Sequence, residues 1–250
     1  MDSVLQNIEK LSSSDQVQVY QADLALREAI ARAKGPELQK IASTLASELN
    51  ATREEKDDKG KVRQVIKYDA KTRSKIARHL AMAGGDEEVP ALVQAIQDLD
   101  VREMARWTLD RMTCPAATAA LVQAAQEAVG PDFRIGAINA LGRRSGSEVV
   151  SALKACAADP SLEIRIVAAE ALANHPDSSS DTAIVEAAQG NGILEERARV
   201  RLSKARIRLA ETLVRNGNPQ AGKKIYQAIL TGQPEEPQKE AALRALQKIS

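Results

Sequence analysis

Five cations fall along one face of a single predicted helix. Arg197, Arg201, Lys204, Arg208 and Arg215 are spaced i, i+4, i+7, i+11 and i+18. At about 100° per residue they lie within about 60° of one another and form a row roughly 27 Å long. Such a row binds carboxylates or phosphates, so an acidic protein or peptide, a polyanion or a phosphorylated segment is its natural ligand. The competing reading is a solvated edge neutralised by Glu195, Glu196 and Glu211, or by Glu235 and Glu236. Ala198, Leu202, Ala205, Leu209 and Leu213 flank the row on one side, and Val200, Ile207 and Val214 on the other. The helix is therefore expected to lie between neighbours with its basic edge outward.

A second set of arginines recurs with its surroundings. Arg73, Arg102, Arg134 and Arg165 are each followed three residues later by Ile76, Ala105, Ala137 or Ala168, and seven later by Leu80, Leu109, Leu141 or Leu172. A ladder of guanidinium forks would grip an acidic ligand. Each arginine opens a predicted helix beside Asp69, Asp100, Asp132 or Glu163, however, so hydrogen bonding between repeats is the expected role. Arg111, Arg143 and Asn174 occupy equivalent turns and are followed by Met112, Arg144 and His175. Arg111, Arg143 and Arg144 are thus candidate binding residues along one edge, although charge complementarity at helix C-termini explains them too. Trp107 stands where other repeats have Arg78, Asn139 and Glu170. That makes it a candidate anchor for a partner, with packing against a neighbouring repeat as the alternative.

No catalytic constellation accompanies these residues. The two histidines, His79 and His175, and the two cysteines, Cys114 and Cys156, are scattered, so neither a metal site nor a nucleophile with its base is expected. Gly84-Gly85 and Gly190-Asn191-Gly192 lack the strand and the Lys-Ser/Thr of a phosphate loop and read as turns. The expectation is a chain with no cofactor that is not an enzyme.

What must position these residues is a repeating unit. The four arginines stand 29, 32 and 31 residues apart, the mark of stacked helical hairpins. Turn signals fall between the helices at Thr113-Cys114-Pro115, Gly130-Pro131, Ser145-Gly146-Ser147, Asp159-Pro160-Ser161 and Asn174-His175-Pro176-Asp177. A weaker fifth cycle aligns at Glu195, Ala198 and Leu202. The stretch from Asp159 to Leu172 resembles HEAT repeats of the kind found in phycobilin lyase subunits, and the resemblance covers residues 70–202. It implies an all-α fold, a right-handed α-α superhelix. It also permits a lyase-like enzyme subunit that handles a bulky tetrapyrrole, against which the scarcity of aromatics counts. The His-Glu pairs of the iron-dependent HEAT-repeat hydroxylases are missing, since neither histidine is followed by glutamate. Further on, Leu209, Ala210, Leu213, Gly222, Tyr226 and Pro234 resemble one tetratricopeptide hairpin.

Before the repeats, helices are expected near Ser3 to Leu11, Asp15 to Lys34 and Pro36 to Asn50. The charged run from Thr52 to Lys61 has no apolar period and reads as a mobile loop. The expected organisation is an N-terminal helical cap over 1–68 with that loop at 51–61, HEAT-like repeats over 69–202, and a tetratricopeptide-like hairpin with a capping helix over 203–250. Net charge is +1, but residues 194–250 carry 12 Lys/Arg against 6 Asp/Glu, while the remainder carries 23 against 28. The basic C-terminal fifth argues for an acidic partner, and the acidic remainder argues against nucleic acid except through the 197–215 row. Met1 to Leu11 lacks the features of a secretory signal, and no run of about 18 apolar residues marks a membrane span. The expectation is a cytoplasmic, monomeric, non-catalytic scaffold whose partner is another protein or an acidic peptide. A lyase-like subunit and nucleic-acid binding are the alternatives.

Overall fold

The computed structural model describes residues 2–127, 130–188, 196–232, 234 and 236–249. The chain divides into two compact units, Met1–Ala120 and Leu121–Ser250. Unit 1 contains α1 (Asp2–Lys10), α2 (Gln16–Arg32), α3 (Pro36–Leu49), β1 (Thr52–Lys56), β2 (Val62–Ile66), α4 (Ala70–Ala83), α5 (Val89–Ile96) and α6 (Arg102–Arg111). The division falls within α7 (Pro115–Gln126). Unit 2 continues with α8 (Pro131–Leu141), α9 (Ser147–Ala157), α10 (Leu162–Leu172), α11 (Ser180–Ala187), α12 (Glu196–Arg215), α13 (Pro219–Thr231) and α14 (Glu236–Ile249). The chain is all-α, a succession of helices with one two-stranded hairpin among the described residues.

Local chemistry sets the helix starts. Proline begins α3, α8 and α13, where its missing N–H costs no intrahelical bond. Asp15, Asp69 and Asn218 accept from backbone N–H groups in the first turns of α2, α4 and α13. The repeat pattern supplies the core: Ile76, Ala105, Ala137 and Ala168, and the leucines four residues after each, are all 0% exposed. Alanine at these positions lets neighbouring helices approach closely while leucine fills the space between them. Gly222 marks another close crossing, because a Cβ there would lie 2.8 Å from the Ala210 carbonyl oxygen and 2.6 Å from Val214.

Two expectations are corrected. The charged run from Thr52 to Lys61 is not a loop but β1 and the turn of an antiparallel hairpin, with Thr52 facing Ile66 and Lys56 facing Val62. Pairing needs no buried face here, because Asp57 closes the turn, accepting from the N–H groups of Lys59 and Lys61 at 3.0 and 2.9 Å. At the hairpin's base, Lys67 and Tyr68 both donate to Glu48 of α3, at 2.9 and 2.8 Å. The domain boundary expected at 202/203 falls inside α12, a continuous helix of 20 residues. Glu195, the head of the fifth cycle, and the Gly190–Gly192 turn lie outside the described residues.

Both histidines are buried, His79 at 1% and His175 at 5% exposure. Burial, in each case the largest cause, holds their pKa values below the ordinary histidine range. For His79 this outweighs Asp23, whose Oδ1 lies 3.1 Å from Nε2. The unfolded chain takes up these protons near pH 6.5, whereas the fold refuses them. Stability is therefore complete above that pH and declines as pH falls through it. The melting temperature should fall between about pH 7.5 and pH 5.5, and a His79→Gln/His175→Gln variant should show a flatter pH profile whatever its absolute stability. An unchanged slope in that variant would contradict the assignment.

Candidate functional site

Three of the four recurring arginines are spent on the fold. On α4, Arg73 donates through Nε to the Leu49 carbonyl at the end of α3 (2.9 Å), through Nη2 to Asn50 (3.1 Å), and through Nη1 to Asp98 beyond α5. On α8, Arg134 donates to the Ala125 carbonyl at the end of α7 (2.9 Å) and to Asp159 beyond α9 (2.5 Å). On α10, Arg165 reaches the Ala187 carbonyl ending α11 (3.1 Å) and the carbonyls of Asp159 and Pro160 (3.0 Å each). Each thus joins the end of the preceding hairpin to the end of its own. The acidic partners are Asp98 and Asp159, not Asp100, Asp132 or Glu163, and Asp69 instead caps α4 through the Thr72 N–H at 2.7 Å. Arg102 is half-buried and helps to hold the Asp98 pKa below the usual carboxylate range, after the larger effect of Arg73.

The C-terminal row divides in two. Arg197, Lys204, Arg208 and Arg215 are exposed along α12. Arg201 is half-buried and paired with α10: its Nε and Nη2 donate to Glu170 at 2.9 and 2.7 Å, and its Nη1 to Glu163 at 3.1 Å. Those hydrogen bonds, Glu170 first, raise its pKa above the arginine range. Arg206, absent from the expected row, forms a second fork with Asp181 at 2.7 and 3.0 Å. Glu195 and Glu235 lie outside the described residues, and Glu236 accepts from Lys239 at 3.1 Å.

The turn residues separate as well. Arg111 is exposed and stacks on half-buried Trp107, its guanidinium carbon 4.9 Å from the ring centroid, so these two candidates meet in unit 1. In unit 2, Arg143 and Asn174 are exposed, whereas Arg144 is half-buried and His175 is buried; Met112, in unit 1, is buried as well. The second set of turn positions therefore points inward rather than forming an open edge.

Arg143, Asn174 and Arg208 converge. With Asn139, Gly142, Glu170 and Ala171 they line a polar cleft of about 300 Å³ between α8, α10 and α12. Its floor is set by backbone proximity, since a Cβ at Gly142 would lie 3.1 Å from the Ala171 Cβ. Asn174 ties the two turns together, donating to the Gly142 carbonyl at 3.1 Å. Arg201 pairs with Glu170, the acid among the described lining residues, and the lining also carries the side chains of Arg143 and Arg208 and the amides of Asn139 and Asn174. Cationic and amide donors around a small cleft suit a carboxylate or a phosphate. Among the described residues no His, Cys, Asp or Glu group of three is placed to hold a metal ion, and no helix is long and apolar enough to cross a membrane.

No protein-family model matches the chain, and no curated protein sequence does. Several solved structures are similar at low identity, among them three that follow. YibA of Escherichia coli aligns with 14% identity over 98% of this chain and 81% of its own, with a TM-score of 0.48. The complex of CpcE and CpcF of phycocyanin lyase from Nostoc aligns with 17% identity over 99% and 94%, at 0.40. Human deoxyhypusine hydroxylase aligns with 17% identity over 98% and 95%, at 0.38. The expectation that the chain is not an enzyme is corrected by these neighbours, two of which are named for enzymatic activities. A helical-repeat chain without a recognisable catalytic motif is not thereby non-catalytic.

Among the site residues, sequence reasoning missed Glu163, Glu170, Arg206 and Asp181. A signal was available for one of these pairs: Glu170 and Arg201 stand 31 residues apart, one repeat, as do Thr108 and its acceptor Ala77. Equivalent positions in stacked hairpins are neighbours in space. The division of the row into a structural and a surface part has a direct check. Arg201→Met should lower the melting temperature by about 2–4 °C, since it removes the two-point pairing with half-buried Glu170, while Arg208→Met should leave it unchanged. Equal effects would contradict the division.

Proposed function

We propose that this chain is a protein-binding helical-repeat module whose unit 2 cleft seats an acidic group of the partner, with Arg143 and Arg208 as the anion-binding pair. The observation carrying this reading is that two exposed arginines, flagged by unrelated sequence patterns, line one polar cleft in which Glu170, the acid among the described lining residues, is already paired with Arg201. Arg197, Lys204 and Arg215 extend the positive field along α12 and steer an acidic segment toward the cleft. Arg111 and Trp107 offer unit 1 a flat aromatic-cationic contact of the kind partners use as an anchor.

Nucleic acid fits the same surface less well. Two of the helix's cations, Arg201 and Arg206, are neutralised by Glu163, Glu170 and Asp181, which lowers the charge available to phosphates. An enzyme subunit is one form that such a module takes, since a docking cleft of this kind serves an assembly as readily as a free-standing adaptor.

The test is affinity purification from the native cell with the unaltered chain and with Arg143→Glu/Arg208→Glu, identifying both the proteins and the small molecules recovered. A protein should be recovered with the unaltered chain and depleted at least tenfold with the variant, whose helicity and melting temperature stay the same. Equal recovery would overturn the assignment of the cleft.

A further inference from the structure

The β1–β2 hairpin contributes almost nothing to the core of its own unit: all of its strand residues are exposed except Val65, which is half-buried. An isolated two-stranded hairpin is marginal in water. Its two free edges differ in a way that selects a partner.

Two hydrogen bonds outside the strands set the ladder's phase. Asp57 N–H donates to the Lys61 carbonyl at 3.0 Å, and Lys67 N–H to the Ala51 carbonyl at 2.8 Å. Antiparallel pairing alternates between bonded and non-bonded pairs, so Arg53 with Val65 and Glu55 with Arg63 are the pairs that exchange bonds. The backbone groups of Thr52, Glu54 and Lys56 therefore point out along one edge, and those of Val62, Gln64 and Ile66 along the other.

We infer that the β2 edge pairs with the β2 edge of a second copy of this chain, antiparallel about a two-fold axis at Gln64. In that register Val62 faces the second copy's Ile66, Gln64 faces Gln64, and Ile66 faces Val62. The three outward residues of each strand supply about six inter-strand bonds. Val62 and Ile66, 46% and 44% exposed in the single chain, become two apolar cross-strand pairs on one face of a four-stranded sheet. The segment Val62-Arg63-Gln64-Val65-Ile66 is self-complementary about its centre, which an isologous contact requires. The β1 edge is not: the same operation centred on Glu54 sets two carboxylates directly opposite, which disfavours pairing. A contact between two five-residue strands is small, so the dimer is weak and depends on concentration.

Sedimentation velocity over about 1–500 µM protein tests this, the range that weak association requires. The unaltered chain should shift from monomer to dimer. Gln64→Pro removes an outward N–H without touching a bond to β1, and should remain monomeric at the highest concentration with an unchanged melting temperature. Glu54→Pro, on the opposite edge, should still dimerise. Should Gln64→Pro disturb folding, Cys crosslinking gives a second readout in a Cys114→Ser background. Gln64→Cys should oxidise to a covalent dimer, because the two-fold axis places this residue opposite itself, and Arg63→Cys should not. A chain monomeric throughout, a Gln64→Pro variant that still dimerises, or equal crosslinking at 63 and 64 would overturn the inference.

Discussion

The constraint on which the structure depends is the unsatisfied carbonyl at the end of each helix. A helix leaves its last acceptors without intrahelical donors, and a stack of short helices multiplies such ends. Here an arginine from an adjacent helix answers three of them: Arg73 at Leu49, Arg134 at Ala125 and Arg165 at Ala187. The guanidinium's several donors in a rigid fork allow one residue to serve both its own hairpin and the preceding one, and its charge suits the negative end of a helix. Arg73 is only 4% exposed, so its hydrogen bonds also offset the cost of burying the charge. Loss of a partner would leave that buried charge less fully compensated, which is the costly case.

The same chemistry explains why the cations of α12 have different fates. Arg201 lies level with α10 and meets Glu163 and Glu170, which hold it as part of the packing. Two turns further on, Arg208 lies beside the residues that follow α10 and lines a cleft with Asn139, Arg143 and Asn174. Position along the helix, and hence what the neighbouring helix presents, decides between a structural and a recognition role. Glu170, which also lines the cleft, is already paired with Arg201 across the interface beside it.

The architecture was legible because it is periodic. The Arg-x2-small-x3-Leu pattern encodes a helix face, a stacking position and a clamp together, and the leucines and small residues that it named are fully buried. Side-chain partners separated by one whole repeat were not legible from local spacing. Asp98 and Asp159 were overlooked in favour of acids nearer in the chain, and so was Glu170. The hairpin was hidden for another reason: its strands pair through backbone, with Glu55 opposite Arg63 and no apolar face buried within the chain, so a hydrophobic period gives no sign of it. Arg143, Asn174 and Arg208 were each visible alone, but their convergence depends on how α12 crosses α10, which no local pattern states.

The central claim, that each arginine holds two successive hairpins together, is tested most directly by peptide-resolved hydrogen exchange of Arg134→Met. Protection should fall in α8, α9 and the end of α7, where Arg134 bridges Ala125 and Asp159, with α1 to α4 unchanged. Unaltered protection around Ala125 and Asp159, or a uniform loss across the whole chain, would contradict it.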